Sequence, residues 1–356
     1  MENVLLYSLL GLGIGGLIAG LAIAIVLVYR GSGVINLATG AFAMVGAWLY
    51  WGFFTRNDLG FHPPLWLALG LTLVCMAVFG AIVELVAFWP LRNASPLARL
   101  AASLGVLLVA EAVIAVGVNS QQVSAPDVLP AGAVQLLGGA VPTSRLYLAG
   151  IAIGVSVILI ALYRWTRFGL ATRAASEAET SAMLVGLEPS WLSMTNTVLA
   201  AVTAGGFGVF GGSLVQLDSV SLPNLVVPAL AAAVFARFTS IGIACVSGLA
   251  IGVGYSLINY ASALSWFPKN HGAPMSGLPQ LLFFVAVCLA MFLRGATLPG
   301  RGELVEKRLP LVPKPERLLR PAVIAAVAGA RRADLLPLRL PPVADSRAPG
   351  SVRTLD

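Results

Sequence analysis

Two carboxylates stand where a carboxylate is expensive. Glu84 and Glu111 each lie inside a long apolar run. An ionised side chain at the centre of a spanning helix costs about 2.5–3.5 kcal/mol on insertion scales, so such residues are functional candidates by default. Glu111 falls near the middle of its run and suits a proton relay or a contact to a substrate amine. The plain alternative is a protonated or hydrogen-bonded acid within a bundle. Glu84 falls toward the end of its run, near headgroup level. Asn36 and Gly40 open a third run behind Gly31 and Gly33. That composition predicts a non-helical start, which a membrane tolerates only where protein or a cavity covers the backbone.

Other chemistries are poorly supplied. Cys75, Cys245 and Cys288 sit in apolar runs without Cys-x-x-Cys spacing, and there are two histidines. Neither a metal site nor a disulfide framework is indicated, and the thiols read as small hydrophobes. The stretch from Gly11 to Gly16 has the form Gly-x-Gly-x-x-Gly, but it lacks the preceding strand that a dinucleotide fold needs and reads as helix packing. The only lysines are Lys269, Lys307 and Lys314, and none completes a phosphate-binding loop. No cofactor is expected. If ATP drives this protein, another polypeptide binds it.

The most telling polar segment is 164–190. Ala171, Ala174, Ala175, Ala178, Ala182 and Val185 recur at helical spacing and form a narrow small-residue face. Arg173 and Glu177 are four apart and can pair. Gly186 can end the helix, and Pro189 resists its continuation. Such a helix suits docking into a partner's groove; an ordinary solvated connector is the plain alternative.

The elements that position these residues are membrane helices. The chain is 58% hydrophobic and 10% charged, against about 25% charged in soluble domains. About 20 apolar residues span a bilayer core, and from Asn3 to Tyr29 there is no Asp, Glu, Lys or Arg. Nine apolar segments are predicted: 4–28, 34–54, 64–89, 101–118, 145–163, 191–216, 222–236, 240–261 and 277–293. The seventh is short and reads as a broken span. The fold class is therefore all-α, a polytopic membrane bundle. The N-terminus reads as a first span and not a cleaved signal.

Charge placement orients it. Arg30, Arg92, Arg99, Arg164, Arg167, Arg173 and Arg237 fall on one predicted face; Arg56, Arg145 and Lys269 fall on the other. The richer face is expected to be cytoplasmic, giving N-out and C-in, with 119–144 outside. Of the net charge of +7, +6 belongs to residues 294–356. That basic, Pro-rich tail beside a membrane domain (1–293) suits an anionic leaflet and argues against nucleic acid. Its apolar stretch 321–330 is too short to span.

Three blocks resemble one family. The run from Val28 to Leu49 (VYRGSGVINLATGAFAMVGAWL), that from Pro90 to Ala112 (PLRNASPLARLAASLGVLLVAEA), and the loop from Thr166 to Leu192 with the glycine-rich span after it are similar to permease subunits of branched-chain amino acid ABC importers. The resemblance implies a bacterial inner-membrane subunit that pairs with a second permease. It also implies two cytoplasmic ATPases and an extracytoplasmic binding protein, and no covalent chemistry on this chain. By matching positions, Ala175, Glu177 and Gly186 would be coupling contacts to the ATPase, and Asn36 and Gly40 would line the translocation path. Where the family carries a glycine-rich turn after the seventh segment, this chain has Ala236-Arg-Phe-Thr-Ser240, so a different local turn is expected. Some relatives fuse two permease halves. The linker 294–320 and the stretch 321–330 look like the start of a second half, which predicts a shortened or frame-altered fusion. The rival expectation is a self-sufficient proton-coupled carrier or channel using Glu111.

Overall fold

A computed structural model describes residues 2–55, 64–92, 94–117, 123, 126–130, 132–136, 139–177, 179–215 and 217–263, with a few positions between 269 and 292. The tail 294–356 lies outside them, as do Arg56 and most of the ninth predicted segment. The chain is mostly helical: α1 (Glu2–Ser32), α2 (Thr39–Thr55), α3 (Leu65–Val83) running into a π-helical turn (Glu84–Phe88), α4 (Pro96–Gly117), α5 (Thr143–Trp165), α6 (Arg167–Glu177), α7 (Glu179–Leu184), α8 (Pro189–Gly211), α9 (Ser221–Asn224), α10 (Val226–Phe235) and α11 (Ile241–Ala263). Six helices, α1, α3, α4, α5, α8 and α11, are long and apolar enough to cross a membrane among the described residues. Eight of the nine predicted runs fall on helices. The seventh divides into α9 and α10 at Leu225.

Helix α1 is the axis of the bundle. Every residue from Leu17 to Val28 is buried, with no wet or lipid-facing side, because α5, α8, α10 and α11 surround it. A helix apolar all round fits only such a position. Lipid gives apolar helices no hydrophobic reason to associate, so close approach through small residues holds them. A Cβ at Gly11 would lie 2.7 Å from the Gly252 carbonyl oxygen, and one at Gly248 would lie 2.5 Å from Ala19 Cα. The Gly11–Gly16 stretch thus packs α1 on α11 and α5. Gly46 and Gly208 do the same where α2 crosses α8. Cys245 is buried and donates its thiol to the Ala152 carbonyl at 3.6 Å, where α11 meets α5.

Between α1 and α2 the chain leaves the helix at Gly33 (φ 71°) and runs non-helically to Ala38. Its backbone is satisfied by side chains. Leu37 N–H donates to Ser103 Oγ of α4 at 3.2 Å, and Ala38 N–H donates to Asn36 Oδ1 at 2.8 Å. Gly40 lets α2 start against α9, since a Cβ there would meet Val226 Cγ2 at 2.5 Å and Pro223 Cα at 3.0 Å.

The all-α expectation holds for the bundle, and the strands are confined to connections. Two short antiparallel ribbons, β1 (Ala133–Leu136) with β2 (Gly139–Pro142) and β3 (Lys269–Asn270) with β4 (Ala273–Pro274), occupy the connections. Val123 also bridges Leu217 through both backbone bonds. Backbone polar groups in these connections find partners by pairing strands.

The turn after α10 is built without glycine. Arg237 (φ 52°) and Phe238 (φ 54°) are both left-handed without glycine. Phe238 N–H closes the helix end on the Ala233 carbonyl at 2.9 Å, and Arg237 N–H bonds Val234 at 2.8 Å. Packing holds the turn: Phe238 is fully buried with its ring 4.7 Å from that of Tyr29. Arg30 donates Nε to the Thr239 carbonyl at 3.0 Å and lies 4.9 Å over the Tyr163 ring.

Candidate functional site

The polar residues of one bundle end converge on a cavity of about 790 Å³. Four structural pieces form it: the last turn of α1, the non-helical stretch through Asn36, the π-turn and loop 84–99, and the segment Met183–Ser193. The local sequence explains this convergence. Glu84, Phe88 and Arg92 are spaced by four, and the π-turn, closed by Trp89 N–H on the Glu84 carbonyl at 2.7 Å, keeps them on one side. Ser190, Ser193 and Thr197 repeat every three to four residues down α8. Loop-end arginines gather here as well. Arg92 donates to Ser190 Oγ and lies 4.4 Å over the Trp89 ring. Arg99 donates Nε to the Leu91 carbonyl at 2.9 Å and a second nitrogen to the Arg92 carbonyl.

Glu84 is 3% exposed. Ser193 Oγ donates to its Oε1 and Thr197 Oγ1 to its Oε2, each at 2.8 Å. Two hydroxyls thus clamp the carboxylate between α3 and α8. No ion pair joins Glu84 to Arg92 or Arg99 among the described residues. Asn36 is 2% exposed and lines the cavity; its Nδ2 is buried with no partner among the described residues. Gly40 sits deeper, against α9 and α10. Glu111 does not line this cavity. It is half-buried on α4, on a helix whose Leu108 and Val113 are exposed.

The 164–190 segment is helical over Arg167–Glu177 (α6) and Glu179–Leu184 (α7). Its small-residue face is divided. Ala175 (1% exposed) and Ala182 (5%) are buried within the chain, whereas Ala174 and Val185 are exposed. The buried alanines pack inward within the chain. The apolar surface left outward is Met183, Leu184 (89% exposed) and Val185 (82%). Gly186 ends α7 at φ 84°, with Leu187 N–H on the Ala182 carbonyl and Gly186 N–H on Met183, each at 3.0 Å. This double closure calls for a residue at positive φ, which glycine supplies at no steric cost. The Glu177 side chain lies outside the described atoms.

Reasoning from sequence ranked Glu111 above Glu84 and did not single out Arg92, Arg99, Ser193 or Thr197 as site residues. The available signal was the polar stripe Ser190, Ser193, Asn196 and Thr197 at helical spacing in an otherwise apolar span.

Residues 7–294 match the family described as branched-chain amino acid transport system / permease component. Similar proteins include the high-affinity branched-chain amino acid transport system permease protein LivH of Salmonella typhimurium, 23% identical over 69% of this chain and 83% of its own length. The corresponding protein BraD of Pseudomonas aeruginosa is 25% identical over 68% of this chain and 82% of its own. A probable branched-chain amino acid transport permease protein LivH of Methanocaldococcus jannaschii is 25% identical over 73% and 80%. No solved structure matches this chain. The family match takes in every element that builds the cavity, and six helices of spanning length make this a multi-pass membrane protein: the chain belongs to the permease components of branched-chain amino acid transport systems.

Proposed function

We propose that this chain is the permease subunit of an ATP-driven importer of branched-chain amino acids in the bacterial inner membrane. It works beside a second permease, two ATPases and an extracytoplasmic binding protein. The single observation that carries the reading is the family match across residues 7–294. One route for coupling is supported by exposure: Met183, Leu184 and Val185 form an apolar knob on the surface that an ATPase would contact. Gly186 sets its direction, and the residues after it form the cavity wall and lead into α8, which carries the clamp on Glu84. A push on the knob would then reach the Ser193–Glu84–Thr197 contact through a helix 23 residues long. In this reading nine segments place the N-terminus outside and the 164–190 loop in the cytosol, with 294–356 as a cytoplasmic tail. Ala175 holds α6 on the bundle, and Asn36 and Gly40 shape the path.

The test is leucine uptake by proteoliposomes. ATP-dependent uptake with all partner subunits present, and none with this chain alone under a proton gradient, is the expected result. Gradient-driven uptake by this chain alone would overturn the reading in favour of a proton-coupled carrier. Cysteine labelling at position 184 in intact cells adds a topological check, because reaction with an impermeant reagent from outside would contradict a cytosolic loop.

A further inference from the structure

The charged groups around the cavity are arranged in a way that the coupling role leaves unused. Its formal charges cancel: Glu84 and the exposed Glu188 against Arg92 and Arg99. Yet the buried carboxylate and the guanidinium groups are not paired with one another among the described residues. Glu84 has both oxygens engaged by neutral hydroxyls, with no cationic partner among the described residues and further lone pairs open. A desolvated carboxylate is favoured only when paired, and an ammonium would complete it. Arg92 has five N–H donors and, among the described residues, donates to Ser190 Oγ.

The helix ends sort the two charges in the same sense. Val28, Gly31 and Ser32, the C-terminal turn of α1, line one side, and a helix C-terminus favours a cation. Pro189 and Ser190, the first turn of α8, line another, and a helix N-terminus favours an anion. The buried Asn36 adds an amide N–H with no acceptor. Apolar surface from Val34, Ile35, Phe88 and Leu187 fills the rest of the wall. The volume, about 790 Å³, lies within the range of about 300–1,000 Å³ usual for small-molecule pockets.

We propose that this cavity is a binding site for a free zwitterionic α-amino acid with a short aliphatic side chain, its ammonium at Glu84 and its carboxylate at Arg92 and the first turn of α8. The side-chain class rests on the importer reading above; the zwitterion rests on the cavity alone. The site is built within one permease chain. It shares Met183 and residues 186–190 with the coupling segment, so occupancy at this end would let the imported product act on the segment that receives the ATPase.

The experiment is equilibrium binding of radiolabelled L-leucine to the full chain in phosphatidylglycerol nanodiscs, without ATPase or binding protein. Saturable binding is expected, with isocaproate (no ammonium) and isoamylamine (no carboxylate) failing to compete. Glu84→Gln and Arg92→Gln should each weaken binding about tenfold or more, at unchanged helicity. Absence of saturable binding by the wild-type chain would overturn the proposal. So would competition by isoamylamine equal to that by leucine, or loss of leucine binding when phosphatidylethanolamine replaces phosphatidylglycerol, which would assign the cavity to a lipid headgroup. Should either variant fail to fold, the analogue series on the wild-type chain decides. Leucine uptake by the assembled importer with no binding here would refute this site and spare the importer reading; binding here without such uptake would do the reverse.

Discussion

Adjacent residues in the turn after α10 should respond to glycine with opposite signs. Arg237 and Phe238 both sit near φ 50°, where a side chain costs about 1–2 kcal/mol relative to glycine. Arg237 is exposed, so its replacement loses little packing. Glycine also loosens the unfolded chain by roughly 0.5–1 kcal/mol, which leaves Arg237→Gly stabilising by about 0.5–1 kcal/mol. Phe238 is fully buried against Tyr29. Removing a packed ring costs about 3–5 kcal/mol, and relief of the backbone returns about 1, so Phe238→Gly should destabilise by roughly 2–4 kcal/mol. The assay is denaturant titration of the purified protein in mixed micelles, followed by tryptophan fluorescence. A clear destabilisation by Arg237→Gly, or a stabilisation by Phe238→Gly, would refute the claim that packing of the second residue holds the first in a strained conformation.

Three further outcomes follow from the packing. Gly208→Ala drives a Cβ into the Ala43 backbone at the α2–α8 crossing, where nothing can rotate away; a loss of about 1–3 kcal/mol is expected in the same titration. Leu184→Asp puts a charge on an 89% exposed residue, so stability should stay within about 0.5 kcal/mol while ATP-driven uptake falls at least tenfold; uptake at the wild-type rate would remove the knob from the coupling route. Asp218 is partly desolvated, which raises its pKa, but bonds from the Ser221 N–H and hydroxyl and the Val220 N–H outweigh this and hold it below the usual carboxylate range. Its stabilising contribution is therefore complete above the ordinary carboxylate range and fades as pH falls through the lowered value. The stability advantage over Asp218→Asn should shrink below about pH 4; an advantage that grows on acidification would contradict these bonds.

Much of the helical content was legible in the chain because its signal is local. A long apolar run with at most one charge has few options other than a helix, and eight of the predicted apolar runs fall on helices. The break before α2 was legible from Gly31, Gly33 and Asn36, and the end of α7 from Gly186. The ribbons in the connections were not, because strand pairing there depends on which loops meet.

The site divides along the same line. Composition and periodicity alone established a membrane bundle, a short small-faced helix between two spans, and the rarity of its buried acids. Their ranking needed the packed structure. Glu84 and Glu111 look alike in one dimension, since each is a carboxylate in an apolar run. They part only when α8 delivers Ser193 and Thr197 to one, while the other stays half-buried on α4, clear of that cavity. Likewise Ala175 and Val185 share a face by periodicity, yet one is buried and the other bare. Helical period decides which residues share a side of a helix. What that side meets is decided by residues more than a hundred positions away, and a close fit between distant surfaces leaves no mark on local spacing.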